Sequence, residues 1–329
     1  MKQIKENIAV VLVNLGTPKQ PTTSAIRNFL KRFLSDRRVV DLPSLIWFPI
    51  LYGFVLPFRP KKLIDNYRSI WLDNGKSPLI HYSENIQSEL ENRLQIPVKF
   101  AMSYTDPNIV QVLDDCYQEK IDNIIILPMY PQYSSSTTGS VFDTISRYYM
   151  KKKYLPQLFF IRNYHTSSAY IDAIAQKIVD FWQEHGKPEK LVFSFHGVPT
   201  KLIEQGDLYQ QHCEQTTELI VNKLNLDQEE WVLCYQSRFG KTPWITPYTD
   251  ETVEKIAKEG VQSIHVISPA FVTDCLETLE EIEEEICEIF IEAGGKTFKY
   301  IPCLNDDNAN IALLQSVIEE KTPFGFSHS

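Results

Sequence analysis

Eight short apolar segments, rich in β-branched residues, alternate with longer amphipathic stretches along the whole chain. Most of the eight are continuous apolar runs, which is typical of strands buried on both faces of a parallel sheet. The alternation predicts an α/β fold made of βαβ units. The predicted strands are NIAVVLVNL (7–15), VKFAMSY (98–104), NIIILPMY (123–130), QLFFIRNY (157–164), KLVFSFHG (190–197), EWVLCYQS (230–237), SIHVISPAF (263–271) and FKYIP (298–302).

Two pairs of similar segments indicate an internal duplication. VNLGTP (13–18) and SFHGVP (194–199) each end a strand with Gly and then Pro. IIILPMY (124–130) resembles HVISPAF (265–271), and the two pairs occur in the same order. We therefore predict two similar halves, joined near residues 160–170.

Charge is unevenly distributed along the chain. The net charge of −9 argues against general nucleic-acid binding through phosphate contacts. Residues 19–76, however, hold eleven Lys or Arg against four Asp, a balance of +7 that leaves −16 for the remainder. Such asymmetry indicates a local surface for an anion, either a ligand or a lipid headgroup.

An uncharged window of 17 residues, 42–58, lies inside this basic segment. It is too short and too rich in Pro to span a bilayer, which needs roughly 20 apolar residues. Residues 44–58 could be buried core. The segment is followed directly by three basic residues, Arg59, Lys61 and Lys62. This combination favours, as the alternative to buried core, an interfacial segment or the lip of an apolar pocket.

Six cysteines are scattered along the chain without a Cys-x-x-Cys pair, and the N-terminal residues show no cleavable signal pattern. We expect reduced thiols and a cytoplasmic protein.

An acidic run, DCLETLEEIEEEICE (274–288), carries eight carboxylates in fifteen positions. On an α-helix its apolar residues share one face, so a solvated acidic face is the simpler interpretation. Two details favour a functional one. The run follows an apolar strand, which places Asp274 and Glu277 at the edge of the sheet where ligands bind. Glu277, Glu281 and Glu285 are also spaced by four residues. A π-bulge, which is common at functional sites, would bring their three side chains into line.

Three further segments carry polar or basic residues at strand ends. His196 in VFSFHGVP has the best site context of the seven histidines, whereas His265 lies within a strand and is expected in the core. PMYPQYSSSTTGS (128–140) is either a capped helix start or a polar loop lining a ligand cleft. Arg238, Lys241 and Trp244 cluster on a loop after a strand. No Gly-rich phosphate fingerprint occurs, which disfavours a nucleotide cofactor.

Six motifs follow one another along the chain: LVNLGTP (12–18), YRSIWLDNGKSPL (67–79), LPMYPQYSSSTTGS (127–140), FSFHGVP (193–199), YQSRFGKTPW (235–244) and SPAFVTDCLETLEEI (268–282). Through these motifs the sequence resembles the ferrochelatase family over almost the whole chain. The resemblance implies two Rossmann-like domains, each a mainly parallel sheet flanked by helices, with a tetrapyrrole cleft between them. It also implies a lyase that inserts Fe²⁺ into protoporphyrin IX, the last step of haem synthesis. The implied N-terminal domain is 1–163 and carries the porphyrin lip near 42–77. The implied C-terminal domain is 164–304 and carries the metal and catalytic residues. The remaining segment, 305–329, is expected to pack back on the first domain.

The resemblance assigns roles to individual residues. His196 matches the family's invariant histidine and Glu277 its catalytic glutamate. The resemblance also assigns His196, Glu277 and Glu281 to the binding of the metal. Glu285 matches, less directly, a further carboxylate on the family's metal path. The positions that match the family's macrocycle contacts are Leu15, Tyr67, Ser77, Tyr130 and Trp244.

Two departures from the family pattern change what is expected. Animal relatives hold a [2Fe–2S] cluster with a Cys in the third motif and a C-terminal Cys group. Here that position is Ser135, and no Cys follows Cys303, so no such cluster and no cofactor beyond the substrate Fe²⁺ is expected. Some relatives have Arg where this chain has Ser103, which puts a propionate contact there in doubt. We expect a monomer that contacts the inner face of the cytoplasmic membrane peripherally through 44–58.

Rival functions stay open at this point. The same fold could insert cobalt into a corrinoid precursor or iron into coproporphyrin, although the apolar 44–58 segment argues against such carboxylate-rich substrates. A non-catalytic haem or metal carrier would need a cleft but no base facing the macrocycle. A nucleotide-binding protein is disfavoured by the missing glycine fingerprint.

Overall fold

The computed structural model describes residues 7–240 and 242–325, so Lys241 and the ends of the predicted segments 1–163 and 305–329 lie outside the described residues. The chain forms two compact units. Unit 1 contains the chain up to Tyr130, Ser134–Asn163, and the chain from Leu314. Unit 2 contains Pro131–Tyr133 and Tyr164–Leu313.

Unit 1 is built on a four-stranded, fully parallel sheet with the strand order β2-β1-β3-β4. Its strands are β1 (Ile8–Asn14), β2 (Val98–Met102), β3 (Asn123–Pro128) and β4 (Gln157–Phe160). Its α-helices are α1 (Thr23–Leu34), α2 (Ser44–Ile50), α3 (Leu56–Lys62), α4 (Ile64–Ser69), α5 (Pro78–Leu94), α6 (Ile109–Gln118) and α7 (Ser140–Tyr149). Two π-helical segments, Leu51–Val55 and Ser135–Gly139, lie between them.

Unit 2 repeats this plan with the strand order β6-β5-β7-β8, again fully parallel. Its strands are β5 (Lys190–His196), β6 (Trp231–Gln236), β7 (Ser263–Ile267) and β8 (Thr297–Ile301). Its α-helices are α8 (Ser168–His185), α9 (Thr200–Glu204), α10 (Tyr209–Leu224), α11 (Thr249–Lys258), α12 (Leu276–Leu279), α13 (Cys287–Glu292) and α14 (Asn308–Lys321), whose residues from Leu314 belong to unit 1. A 3₁₀ turn spans Gln228–Glu230 and a π-helical segment spans Glu281–Ile286.

The two units have the same connectivity, because in each the first strand lies between the second and the third. All eight predicted strands and the prediction of two similar parallel-sheet halves are thereby confirmed. The crossover direction reverses between β1 and β3 and between β5 and β7. In open α/β sheets, ligands bind outside the carboxyl ends of strands at such a switch point. The fold thus marks one edge of each sheet as a place for a site.

Continuous apolar strands supply the cores of both units. In β1, every residue from Ile8 to Val13 is buried, as a strand covered by helices on both faces requires. In β5, the residues from Leu191 to Phe195 are buried in the same way. The sequence prediction that His265 belongs to the core is confirmed, since this β7 side chain is 2 % exposed.

The apolar segment 44–58 is largely a surface, although it is helical. Trp47 anchors it, because its indole Nε1 donates a hydrogen bond to the carbonyl oxygen of Leu34 at 2.6 Å. Leu45 and Phe54 are 92 % and 68 % exposed. The prediction of buried core therefore applies only to the anchoring residues of the segment, Trp47, Leu51 and Leu56. No helix among residues 7–240 and 242–325 is both long enough and apolar enough to cross a membrane.

Candidate active site

His196 is the last residue of β5, one of the two strands that flank the switch point of unit 2. Its ring nitrogen Nδ1 lies 2.6 Å from the carbonyl oxygen of Gly197. Because a carbonyl oxygen only accepts, Nδ1 carries the proton and the neutral ring has its lone pair on Nε2. The rings of Trp244 and Phe271 each lie 6.4 Å from the imidazole, centroid to centroid. The half-buried His196 therefore presents a basic nitrogen within an aromatic surround.

Trp244 is held beside His196 by pairing between two loops. After β6 the chain returns to the HGVP segment, where Pro199 and Trp244 form an antiparallel bridge. The amide of Ile245 donates to the carbonyl oxygen of Val198 at 3.0 Å. The indole Nε1 of Trp244 donates to the carbonyl oxygen of Phe239 at 2.9 Å. The main-chain pairing and the indole hydrogen bond together fix Trp244 relative to the end of β5.

The acidic run forms a helix that contains the π segment suggested by its four-residue spacing. α12 ends at Leu279, Glu281–Ile286 is π-helical, and α13 continues from Cys287. The carbonyl oxygen of Glu280 accepts from the amides of both Glu284 (3.2 Å) and Glu285 (3.0 Å), which combines an α-type and a π-type bond. The added residue changes the direction in which the following side chains project.

The seven glutamates of this run fall into two groups. Ile282 and Ile286 are buried, so the apolar face predicted from the sequence packs into the core of unit 2. The Glu residues at 283, 284, 285 and 288 are exposed, as a solvated acidic face predicts. Glu277, Glu280 and Glu281 are half-buried, and of these Glu281 interacts electrostatically with both His196 and Glu277.

The electrostatics of Glu281 show that these three groups interact. Burial raises the pKa of the Glu281 carboxyl above its usual value, and repulsion from Glu277 acts in the same direction. A hydrogen bond from Ser237 and attraction to His196 oppose the rise in pKa. A buried carboxylate attracted to a neighbouring imidazole can share with it the handling of protons and cations. The described residues contain no preformed group of three or more His, Cys, Asp or Glu side chains arranged as a metal cage.

Asp274, which the sequence places at the same sheet edge, has a structural role. The side chain is 3 % exposed. Its Oδ1 accepts from the Tyr300 hydroxyl (2.6 Å) and the Thr278 hydroxyl (3.0 Å), and its Oδ2 accepts from the Asn305 amide (2.6 Å). These neutral donors satisfy a buried carboxylate, as burial of a charge requires. Asp274 thus fixes the start of α12, three residues before Glu277.

Unit 1 holds four of the expected macrocycle contacts. Leu15 and Tyr130 follow β1 and β3, so both stand at the switch point of the unit 1 sheet, and both are half-buried. Tyr67 and Ser77 are buried, and the Ser77 hydroxyl accepts from the amide of Ile80 as the N-cap of α5.

Two site residues were missed by sequence reasoning. Gln236 and Ser237 lie at the end of β6 and contact the main chain of Glu277 and the side chain of Glu281. Both belong to the motif YQSRFGKTPW, in which only the aromatic and basic residues were singled out. Their place directly after an apolar strand was the available signal.

Comparisons with known proteins agree with this architecture. The ferrochelatase family model matches residues 7–322. The ferrochelatase of Aliivibrio fischeri (strain MJ11) is 46 % identical over 312 residues, 95 % of this chain and 97 % of that protein. The ferrochelatase of Vibrio parahaemolyticus (serotype O3:K6) is 44 % identical and covers 97 % of this chain and 99 % of its own.

Solved structures share the fold at low sequence identity. SirB from Bacillus subtilis with Fe³⁺ superposes with a TM-score of 0.58 at 10 % identity, covering 97 % of this chain and 99 % of its own. CbiX, described as the terminal enzyme of sirohaem biosynthesis in denitrifying bacteria, has a TM-score of 0.53 at 10 % identity, covering 95 % and 99 %.

Two units with parallel sheets of one strand order give this chain the two-domain fold of the chelatase structures. With the family model and these relatives, the assignment becomes specific. The chain belongs to the ferrochelatase family. Its reaction is the insertion of Fe²⁺ into protoporphyrin in haem synthesis, a lyase reaction. This assignment decides against the carrier and nucleotide-binding alternatives.

Proposed function

We propose that the neighbourhood of His196, Glu277 and Glu281 is where this chain metallates protoporphyrin IX. The observation that carries the proposal is the hydrogen bond from His196 Nδ1 to the carbonyl oxygen of Gly197. It holds the neutral ring in the tautomer whose Nε2 can accept a proton.

Proton removal is the first task of the site. Two pyrrole N–H protons must leave the macrocycle when Fe²⁺ enters it. His196 takes these protons one at a time on Nε2, where the lone pair of the neutral ring lies, and releases each to water. Glu281 can stabilise the imidazolium that forms, because its attraction to His196 opposes the rise that burial causes in the pKa of this carboxyl. That attraction supports a base role for His196 over a purely structural one.

Iron handling is the second task. Nitrogen and oxygen donors suit Fe²⁺, and a chelatase must release the ion it binds. His196, Glu277 and Glu281 offer one nitrogen and two carboxylates, a set small enough for a transient hold. The tetrapyrrole nitrogens then complete the coordination as the ion leaves the protein.

Macrocycle contacts are proposed for five side chains. Trp244 supplies an aromatic face beside His196, and Leu15 and Tyr130 supply apolar surface at the switch point of unit 1. The small exposed parts of Tyr67 and Ser77 complete the set. Contacts of this kind can bend a tetrapyrrole and expose a nitrogen lone pair to the incoming metal, which is a form of ground-state distortion.

The chain is proposed to act without a [2Fe–2S] cluster, because Ser135 stands where the cluster-bearing relatives have Cys. Protein purified anaerobically after expression with excess iron should show none of the visible absorption of such a cluster and no acid-labile sulfide. Stoichiometric sulfide would contradict this part of the proposal.

The surface formed by residues 44–58 is proposed to contact the cytoplasmic membrane peripherally, with the protein a monomer in the cytoplasm. Exposed apolar side chains next to Arg59, Lys61 and Lys62 are the combination that binds an anionic interface. An apolar porphyrin could pass from the bilayer to the protein at this surface.

Three Glu→Gln variants of one acidic run test the metal assignment. Glu277→Gln and Glu281→Gln each remove a half-buried charge, whereas Glu284→Gln removes an exposed one from the same π segment and serves as the control. Anaerobic kinetics with Fe²⁺ and protoporphyrin IX should show at least a tenfold loss of kcat/KM for the first two, the effect of about 1.4 kcal/mol, and none for the control. Equal behaviour of all three would return the whole run to a solvated face.

A further inference from the structure

Ser237 holds an unusual backbone conformation at the end of β6. Its φ is +63°, in the left-handed region that a residue with a Cβ enters at a cost of roughly 1 kcal/mol. The conformation points the Ser237 amide at Glu281, whose Oε1 accepts from it at 2.7 Å. The Ser237 hydroxyl also donates a short hydrogen bond to Oε2 of the same carboxylate. Two donors from one residue thus hold both oxygens of Glu281.

Gln236 adds a third donor, and its own orientation is fixed by its neighbours. Its Nε2 donates to the carbonyl oxygen of Glu277 at 2.7 Å and to Oε2 of Glu281 at 3.3 Å. Its Oε1 accepts from the hydroxyl of Ser194 at 2.9 Å. Since the main-chain carbonyl of Glu277 only accepts, the amide group can take only this orientation.

These contacts leave Glu281 with little freedom. A carboxylate has about four lone-pair directions, and three donors occupy three of them, one on Oε1 and two on Oε2. The remaining direction, on Oε1, is the one available to a metal ion.

We propose that Ser237 and Gln236 are positioning residues for iron delivery. They hold Glu281 so that a single carboxylate oxygen faces the metal, and Gln236 ties this carboxylate to the main chain of Glu277. The inference rests on the proposed metal role of Glu281. Ser237 and Gln236 themselves touch neither the metal nor the macrocycle in this scheme.

Ser237→Gly is the decisive variant, because glycine adopts the same φ without strain and keeps the amide donor while removing the hydroxyl. Its matched control is Asn225→Gly, which replaces another left-handed non-glycine residue, at the exposed C-terminal end of α10. Ser237→Asn is the conservative variant, since asparagine tolerates the left-handed region and offers an amide donor.

We expect Ser237→Gly to raise the KM for Fe²⁺ about tenfold, the effect of one hydrogen bond to a charged group. The KM for porphyrin and the melting temperature should stay at their wild-type values. Ser237→Asn should recover most of the loss, and Asn225→Gly should match the wild type. A merely structural role of Ser237 would instead lower the melting temperature and change both KM values together.

Combining Ser237→Gly with Glu281→Gln separates the inference from the function on which it rests. If Ser237 acts through Glu281, the double variant should have the same KM for Fe²⁺ as Glu281→Gln alone. A further tenfold rise in the double variant, or wild-type kinetics of Ser237→Gly beside an impaired Glu281→Gln, would overturn the positioning role and leave the metal role intact. Wild-type kinetics of Glu281→Gln would overturn both.

Discussion

The indole ring of Trp244 lies directly against the backbone of Gly197. A Cβ at position 197 would stand 3.2 Å from Cε3 of the indole and 2.9 Å from the carbonyl oxygen of Gln236. That carbonyl cannot easily move aside, because it accepts the Gly197 amide at 2.8 Å. The absence of a side chain at Gly197 is therefore what allows Trp244 to stand beside His196.

Gly197→Ala should displace the indole and weaken both folding and catalysis. Overpacking of this kind typically costs 1–3 kcal/mol, so we expect a melting temperature lower by about 2–6 °C and a clear fall in kcat/KM. Gly53→Ala is the control, because a Cβ there would meet no atom within 4 Å. Thermal unfolding and anaerobic kinetics of both variants provide the measurement. Wild-type stability and activity of Gly197→Ala would show that the Trp244 indole and the Gln236 carbonyl can move to accommodate a Cβ, which would contradict this prediction.

Leu45 and Phe54 should carry the interaction with lipid. Each buried apolar side chain is worth roughly 1.5–3 kcal/mol, so Leu45→Ser and Phe54→Ser should each weaken binding to anionic vesicles by about tenfold or more. Metallation of a water-soluble porphyrin should stay at the wild-type rate. Vesicle co-sedimentation at low and high salt is the measurement.

Met150→Ser is the matched control for these two variants. Met150 is 84 % exposed and belongs to unit 1, but it lies outside residues 44–58. Its replacement should leave vesicle binding unchanged. An equal loss in all three variants would indicate non-specific adsorption in place of a defined surface.

His265 should make the stability of the protein depend on pH. Burial lowers the pKa of its imidazole to about 4, with repulsion from Lys299 and His185 adding to the effect. The folded pKa lies below the unfolded value of about 6.5, so the unfolded state binds the proton first. Its contribution to stability is complete above pH 6.5 and is lost as the pH falls towards 4.

Replacement of His265 by Leu removes that proton uptake. The difference in unfolding free energy between variant and wild type should shift in favour of the variant by up to about 3 kcal/mol between pH 7 and pH 4. Urea titrations at several pH values measure it. A difference that does not change with pH would contradict a neutral, buried His265.

Sequence patterns predicted the parts of the molecule that depend on local order. Apolar runs located all eight strands, because a strand buried on both faces needs apolar residues throughout. The four-residue spacing of Glu277, Glu281 and Glu285 indicated the π segment. The predicted place of Glu285 on the metal path gains no support from the structure, because that side chain is exposed.

Contacts between distant parts of the chain were out of reach of such patterns. The bonds from Ser237 to Glu281 join residues 44 positions apart, and those of Asp274 to Asn305 span 31. Whether 44–58 is core or surface also depends on which helix covers it. Periodicity describes an element's own faces and carries no information about the partner that covers them.

The most direct test of the account is anaerobic metallation of protoporphyrin IX by Fe²⁺, followed by absorbance, for the wild type and His196→Ala. General base catalysis contributes about 10²–10⁴-fold. The account therefore predicts a loss of at least a hundredfold in kcat for the variant, with porphyrin affinity from fluorescence titration nearly unchanged. Turnover by His196→Ala close to the wild-type rate, with porphyrin still bound, would contradict the central role given to this histidine.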